Sequence, residues 1–153
     1  MTRRRNIDIT VSSDAGVAAV FALLADGNTW PQWTTIESFE LERAGDPPPE
    51  GLGAIRIYRR GRTTGRDQIE KLVPDRHFGY EALSGLPVRD YHGTVDLETT
   101  ATGSIIRWRS SFLPKVPGTG RMLERGIRGF LGECAHGLAR YAAVWEQAIR
   151  EPS

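Results

Sequence analysis

Polar and apolar residues alternate in NIDITV, with Ile7, Ile9 and Val11 set against Asn6, Asp8 and Thr10, the two-residue period of a half-buried strand. The period changes in SSDAGVAAVFALLAD, where Val17, Val20, Phe21 and Leu24 recur at helical spacing behind Ser12, Ser13 or Asp14 as candidate caps. That helix is expected to stop near Asp26-Gly27, and its apolar run, 17–25, is too short to span a membrane. The connector NTWPQWTT follows, and its Pro31 suits the first turn of a short second helix, where a missing N–H costs little. IESFELERA and the loop DPPPEG come next, then five segments of strand character: LGAIRIYRR, TGRDQIEKLV, RHFGYEALS, LPVRDYHGTVDLE and SIIRWRSSFL. Turn chemistry at Gly61, Pro74-Asp75, Ser84-Gly85 and Thr102-Gly103 separates them. Over residues 119–149, Leu123, Ile127, Phe130, Leu131, Cys134, Leu138, Tyr141, Ala142, Trp145 and Ile149 step by threes and fours along one face of a long helix. The apolar stripe requires a partner surface, and the preceding strands are the candidate.

Three strands declare which side faces that helix. Ile106, Trp108 and Phe112 share one face of their strand, Tyr91, Val95 and Leu97 another, and Phe78, Tyr80 and Ala82 a third. Neighbouring faces agree if the strands are antiparallel and joined by even loops, for which Gly85-Leu86 offers a two-residue turn. One such register sets Gly93 opposite Trp108, where the absent side chain would leave room for the indole or a ligand. The hairpin from LGAIRIYRR to TGRDQIEKLV has two readings. A two-residue turn at Arg62-Thr63 pairs Arg56 with Ile69 and Tyr58 with Asp67, gathering Arg56, Tyr58 and Asp67 on one face. A three-residue turn pairs Ile57 with Ile69 and leaves Arg56 in a surface salt bridge with Glu70.

Composition adds bounds. At 153 residues the chain has the size of one domain able to bury a core and keep a cavity, and 20 basic against 19 acidic residues leave no field that calls for nucleic acid. MTRRR is followed by the polar NIDITVSSD rather than an apolar h-region, so a cytoplasmic protein is expected, and Arg3 to Arg5 read as a solvated terminus. Cys134, the single cysteine, cannot close an internal disulfide and falls in the apolar stripe as a small buried hydrophobe. No Cys/His cluster has metal-ligand spacing, so neither metal nor cofactor is expected.

One strand, two short helices, a six-stranded meander and a long amphipathic C-terminal helix resemble the α+β helix-grip pattern of the START-like, or SRPBCC (Bet v 1-like), superfamily. The stretch LLADGNTWPQWTTIESFEL is similar to its passage from first helix to second strand. The segments from GLGAIRIYRR to TVDLE, with SIIRWRSSFLPKVPGTG, look like its bacterial polyketide cyclase/dehydrase branch. The resemblance covers nearly all of 1–153 as one START-like domain. It implies a curved antiparallel sheet of about seven strands around the last helix, with a cavity between them that holds lipids, hormones, polyketides or other hydrophobic ligands and only sometimes catalyses. Trp33 matches the family's tryptophan after the first helix, Arg56 its strand arginine, and Tyr80, Tyr91 and Trp108 its later aromatic positions. Asp67 stands where close relatives tend to carry an acid.

The candidate ligand wall is therefore Trp30, Tyr58, Tyr80, Tyr91, Trp108 and Phe112, against the alternative that these form a solid core. Ile69, Gly93, Phe130 and Cys134 are further candidates. Arg56 with Asp67 is either a structural ion pair or a polar anchor. Trp30 is placed at the pocket rim and Trp33 as a structural plug. For acid–base chemistry the candidates are Asp67, Tyr58 and Tyr91, with Glu70 and Asp90 behind them. His77 and His92 point outward and His136 lies on the polar side of the last helix. Gly126, Gly129, Gly132 and Gly137 weaken that helix, through close packing against its flank or as a bendable segment beside a cavity mouth. The expected function is binding of a small hydrophobic or aromatic, polyketide- or lipid-like molecule by a monomer or homodimer without membrane insertion. The alternatives are a polyketide cyclase/dehydratase using the same cavity and, more remotely, a co-chaperone-like interaction module.

Overall fold

A computed structural model describes residues 3–151, so Met1 and Thr2 of the basic start lie outside the described residues, as do residues 152–153. The first strand, β1 (Arg5–Ser13), leads into α1 (Val17–Ala25), a 3-10 turn (Gly27–Thr29) and α2 (Trp30–Trp33). Six strands follow: β2 (Ser38–Arg43), β3 (Ile55–Arg60), β4 (Thr63–Val73), β5 (His77–Ser84), β6 (Val88–Thr99) and β7 (Ser104–Pro114). The last element is α3 (Gly120–Arg150). The strands form one antiparallel sheet in the order β1-β7-β6-β5-β4-β3-β2, so the chain closes β1 onto β7 and leaves β2 at the far edge. This is the helix-grip architecture: an open seven-stranded sheet, a long C-terminal helix and two short helices after β1.

The alternation in the strands decides what the sheet buries. Ile106, Trp108 and Phe112 of β7 and Tyr91, Val95 and Leu97 of β6 lie inside, as do Phe78 and Tyr80 of β5. From α3 the stripe Ile127, Leu131, Cys134, Ala135, Leu138, Ala139 and Ala142 meets them. Arg107 and Arg109 emerge on the solvent face, where they pair with Asp8 and Asp96.

Four local expectations are corrected. The cap of α1 is Gly16, not a serine or Asp14. Ser13 instead accepts from the Ala15 N–H and donates to the Ala139 carbonyl at 2.7 Å, tying β1 to α3. The β3–β4 turn is Gly61-Arg62, with Gly61 at a φ of 58°, the left-handed conformation that a tight hairpin asks of its first central residue. Arg56 therefore faces Asp67 and Tyr58 faces Gly65, two residues away from the Arg62-Thr63 register. A two-residue slip preserves parity, so Arg56, Tyr58 and Asp67 still share the inner face and the Arg56–Glu70 alternative is excluded. The β5–β6 connection takes in Pro87 beyond Gly85-Leu86. Gly93 lies opposite Tyr80 and Ser110, while Trp108 is opposite Val95.

Candidate ligand-binding site

Between the inner face of β3–β7 and the first half of α3 the core fails to close. A cavity of about 350 Å³ remains, near the lower end of the roughly 300–1,000 Å³ typical of small-molecule pockets. Its deep end is aromatic: Trp30 of α2, Tyr58 of β3, Tyr80 of β5, Tyr91 of β6 and Trp108 of β7, each buried from outside. Trp30 is not a rim residue. Its ring packs 5.2 Å from Tyr58 and 5.9 Å, edge on, from Trp108, and its Nε1 donates to the Leu24 carbonyl. Trp33 stands behind it, centroids 4.6 Å apart, buried and off the cavity wall.

Two phenol hydroxyls have their acceptor side already occupied. Tyr80 Oη accepts from Trp108 Nε1 at 3.1 Å and hydrogen-bonds with Tyr91, whereas Tyr58 Oη accepts from Arg56 Nη1 at 3.0 Å and keeps its proton free to donate. Burial pushes both phenols well above the ordinary tyrosine range and Tyr91 up to about 12, so all three stay protonated at neutral pH.

Arg56 does not reach into the cavity. Its guanidinium, 1% exposed, donates from Nη1 to the Leu24 carbonyl and from Nη2 to the Ala25 carbonyl, the orphan acceptors at the end of α1. Its acidic partner is Glu50, 2.9 Å from Nε but too poorly aligned for a hydrogen bond, and Glu50 in turn accepts from the Gly27 N–H. Arg56 is thus the cap that fixes the α1–α2 corner, and through it Trp30. The expected Arg56–Asp67 ion pair is absent.

Asp67 is left by itself. It lines the cavity, half-buried, opposite Arg56 and Ala82 in the sheet, and makes no hydrogen bond or ion pair among the described residues. Burial raises its carboxyl to about 7, against a smaller opposing pull from Arg56.

Of the other sequence candidates, Phe130 lines the cavity, whereas Ile69, Gly93, Phe112 and Cys134 are packed behind its wall. Gly93 acts indirectly by admitting the Tyr80 ring. The mouth is built by Arg60, Thr63 and Gly65 from the β3–β4 hairpin, Ser84 to Leu86 from the β5–β6 loop, and Met122, Leu123 and Gly126 from α3, of which the sequence marked Gly126 alone as a candidate mouth residue. Arg60 spans it, its guanidinium carbon 4.9 Å from the centre of the Phe130 ring. The heptad-like stripe that starts at Leu123 was the signal that early α3 residues face inward.

All three histidines lie away from the cavity wall. On the solvent face His77 Nδ1 meets Asp96 at 2.6 Å, and His92 lies between Glu70 on Nδ1 and Asp90 on Nε2, each at 2.8 Å. The hydrogen bond with Glu70 holds the His92 pKa above its ordinary value. Glu70, Glu81 and His92 bring ligand atoms within 4.8 Å of one another, the group among the described residues that could hold a metal ion. Pairing across three strands assembles it, so spacing along the chain gave no sign of it, and an ion would have to displace the carboxylates from the imidazole.

The open sheet, the long C-terminal helix and the aromatic-lined cavity between them define a helix-grip protein. The chain belongs to the polyketide cyclase / dehydrase and lipid transport family, whose model matches residues 4–143. Among solved structures it is similar to the ZhuI aromatase/cyclase from Streptomyces sp. R1128, at 19% identity over 97% of each chain with a TM-score of 0.78. A START superfamily protein from Mycobacterium smegmatis gives 12% identity, 93% of this chain and 97% of the other, and a TM-score of 0.77. Norcoclaurine synthase from Thalictrum flavum, in complex with dopamine and hydroxybenzaldehyde, gives 17%, 99% and 90%, and 0.72. At these identities the likeness is one of fold. No curated protein is matched by the sequence. No helix among the described residues is long and apolar enough to cross a membrane.

Proposed function

We propose that the protein binds a small, largely aromatic molecule in the cavity between the sheet and α3. The observation that carries this is the cavity wall itself. Trp30, Tyr58, Tyr80, Tyr91 and Trp108 line it with aromatic rings, and the Tyr58 phenol proton is available to a carbonyl or hydroxyl oxygen of the ligand. Titration calorimetry with 1-naphthalenemethanol tests it. Saturable one-to-one binding is expected, weakened at least about tenfold in an Ala82→Phe variant whose added ring fills the cavity floor. A wild-type protein that takes up neither this probe nor any co-purified small molecule in native mass spectrometry would sink the reading.

One observation favours catalysis in the same cavity. Asp67, poised near neutrality beside three protonated phenols, has the acidity wanted of a general base, and an enolising cyclisation or dehydration needs such a group. Enzyme and carrier separate on Asp67→Asn: a cyclase/dehydratase loses turnover while affinity for the neutral 1-naphthalenemethanol stays, and a carrier has no turnover to lose. The co-chaperone-like alternative called for a filled interior, and the cavity speaks against it.

A further inference from the structure

We infer that the cavity is built for a ligand carrying a protonated amine, with Asp67 as its counter-ion and the surrounding aromatic rings as its cage. The inference rests on the reading of the cavity as a ligand site and narrows the ligand's chemistry.

The charges near the deep end do not balance. Arg56 is matched by Glu50 and spends its remaining donors on Leu24, Ala25 and Tyr58, so its charge is compensated locally. Asp67 has no such partner. Among the described residues it is the lone acid on the cavity wall, and the one lining cation, Arg60, stands at the mouth against Phe130. The groups that face Asp67 from each packed element are Arg56 and Tyr58 of β3, Tyr80 of β5 and Tyr91 of β6. Trp30 of α2 and Ile127, Phe130 and Leu131 of α3 complete the wall without a charge.

An unpaired carboxylate is costly in such a place unless a cation or a proton arrives. Neither nearby protein cation pairs with it: Arg56 is turned to Glu50 and the end of α1, and Arg60 lies against Phe130. A ligand ammonium would meet the carboxylate directly and lie among the rings of Tyr58, Tyr80 and Tyr91 that neighbour it, the kind of aromatic surround that recognises organic cations. The Tyr58 phenol proton then remains for an oxygen elsewhere on the ligand. A neutral ligand of the same shape gains the ring contacts but leaves Asp67 unpaired or protonated.

The test compares two isosteric probes, 1-naphthylmethylamine and 1-naphthalenemethanol, by calorimetry on wild type and Asp67→Asn at pH 8.5 and pH 5.5. The amine stays protonated throughout. For wild type at pH 8.5 it should bind at least about tenfold more tightly than the alcohol. At pH 5.5 and in Asp67→Asn the preference should fall to within about threefold. At pH 6.5, amine binding should release protons, seen as a heat that varies with the buffer's ionisation enthalpy, and alcohol binding should not. An alcohol that binds as well as the amine at pH 8.5, or an amine preference that survives in Asp67→Asn, overturns the amine assignment and leaves the ligand cavity standing. Failure of both probes to bind wild type removes the cavity reading and this inference together.

Discussion

The Tyr80 ring occupies the space that Gly93 leaves empty. The two residues are ladder partners, and a β-carbon at Gly93 would lie 2.6 Å from Tyr80 Cε1 and 2.5 Å from the hydroxyl oxygen. Gly93 thereby lets the phenol lie back across β6 and reach Trp108 Nε1. A Gly93→Ala variant must push the ring into the cavity or bend the strand, and is expected to lose about 1–3 kcal/mol. In Gly93→Ala/Tyr80→Leu the collision is gone, so urea unfolding should show a double-variant loss well below the sum of the single losses. Additive losses would mean that the glycine serves the backbone and not the phenol.

Arg56 offers a second coupling. Removing it strands Glu50 and two carbonyls at the end of α1 in a buried setting, so Arg56→Ala should cost about 3–5 kcal/mol in chemical denaturation. Glu50→Gln/Arg56→Met removes both charges, and its loss should be smaller than that of Arg56→Ala alone. If the double variant proves the less stable, the ion pair is a net stabiliser and the cap geometry is the lesser part.

The difference between what these two residues disclosed in advance is physical. Alternation reports which face a side chain occupies, and it placed Tyr80, Tyr91, Trp108 and Phe112 inside, while Arg56, Tyr58 and Asp67 shared one face in only one of the two registers it allowed. It cannot report a partner brought by a loop. Glu50 arrives from the segment DPPPEG, whose conformation no period encodes, so neither the ion pair with Asp67 nor the polar anchor that the sequence offered for Arg56 is its role. Register was open even in its parity, because a two-residue turn at Arg62-Thr63 and a three-residue turn both fitted the sequence, and the chain turns instead at Gly61-Arg62, where Gly61 takes the left-handed φ. Which inward side chains pack solid and which line a void depends on gaps of a few ångströms, beyond the reach of a hydrophobic pattern. Phe112 and Phe130 illustrate this, equally apolar in sequence, one behind the wall and one on it.

Asp67 predicts an inverted pH dependence. Its pKa rises on folding from an ordinary 3.8 to about 7. Below 3.8 it is protonated in both states and costs nothing; as pH climbs, the unfolded chain ionises first, and stability falls until the folded carboxyl ionises near 7. Asp67→Asn escapes this. Its stability advantage over wild type should widen by roughly 2–3 kcal/mol between pH 5 and pH 8.5, at about 1.4 kcal/mol per pKa unit. Taking the difference between the two proteins cancels the other titrating groups, such as Asp8, Asp90 and His92. A constant difference across that range would show that the carboxyl titrates as if in water.

The glycines of α3 divide by what surrounds them, and one substitution should give opposite signs along a single helix. At Gly137 a β-carbon would strike the Trp33 carbonyl, so this glycine is where α2 packs closest onto α3, and Gly137→Ala should lose about 1–3 kcal/mol. Gly129 and Gly132 meet nothing, and alanine there should gain up to about 1 kcal/mol each by helix propensity alone. Gly126 also faces open space, but that space is the cavity mouth. Gly126→Ala should therefore raise the unfolding midpoint like Gly129→Ala while changing the affinity for 1-naphthalenemethanol, which Gly129→Ala leaves alone. The close-packing explanation then holds for one of the four, and the mouth for another. If Gly126→Ala and Gly129→Ala behave identically in both stability and binding, the entrance does not run past Gly126.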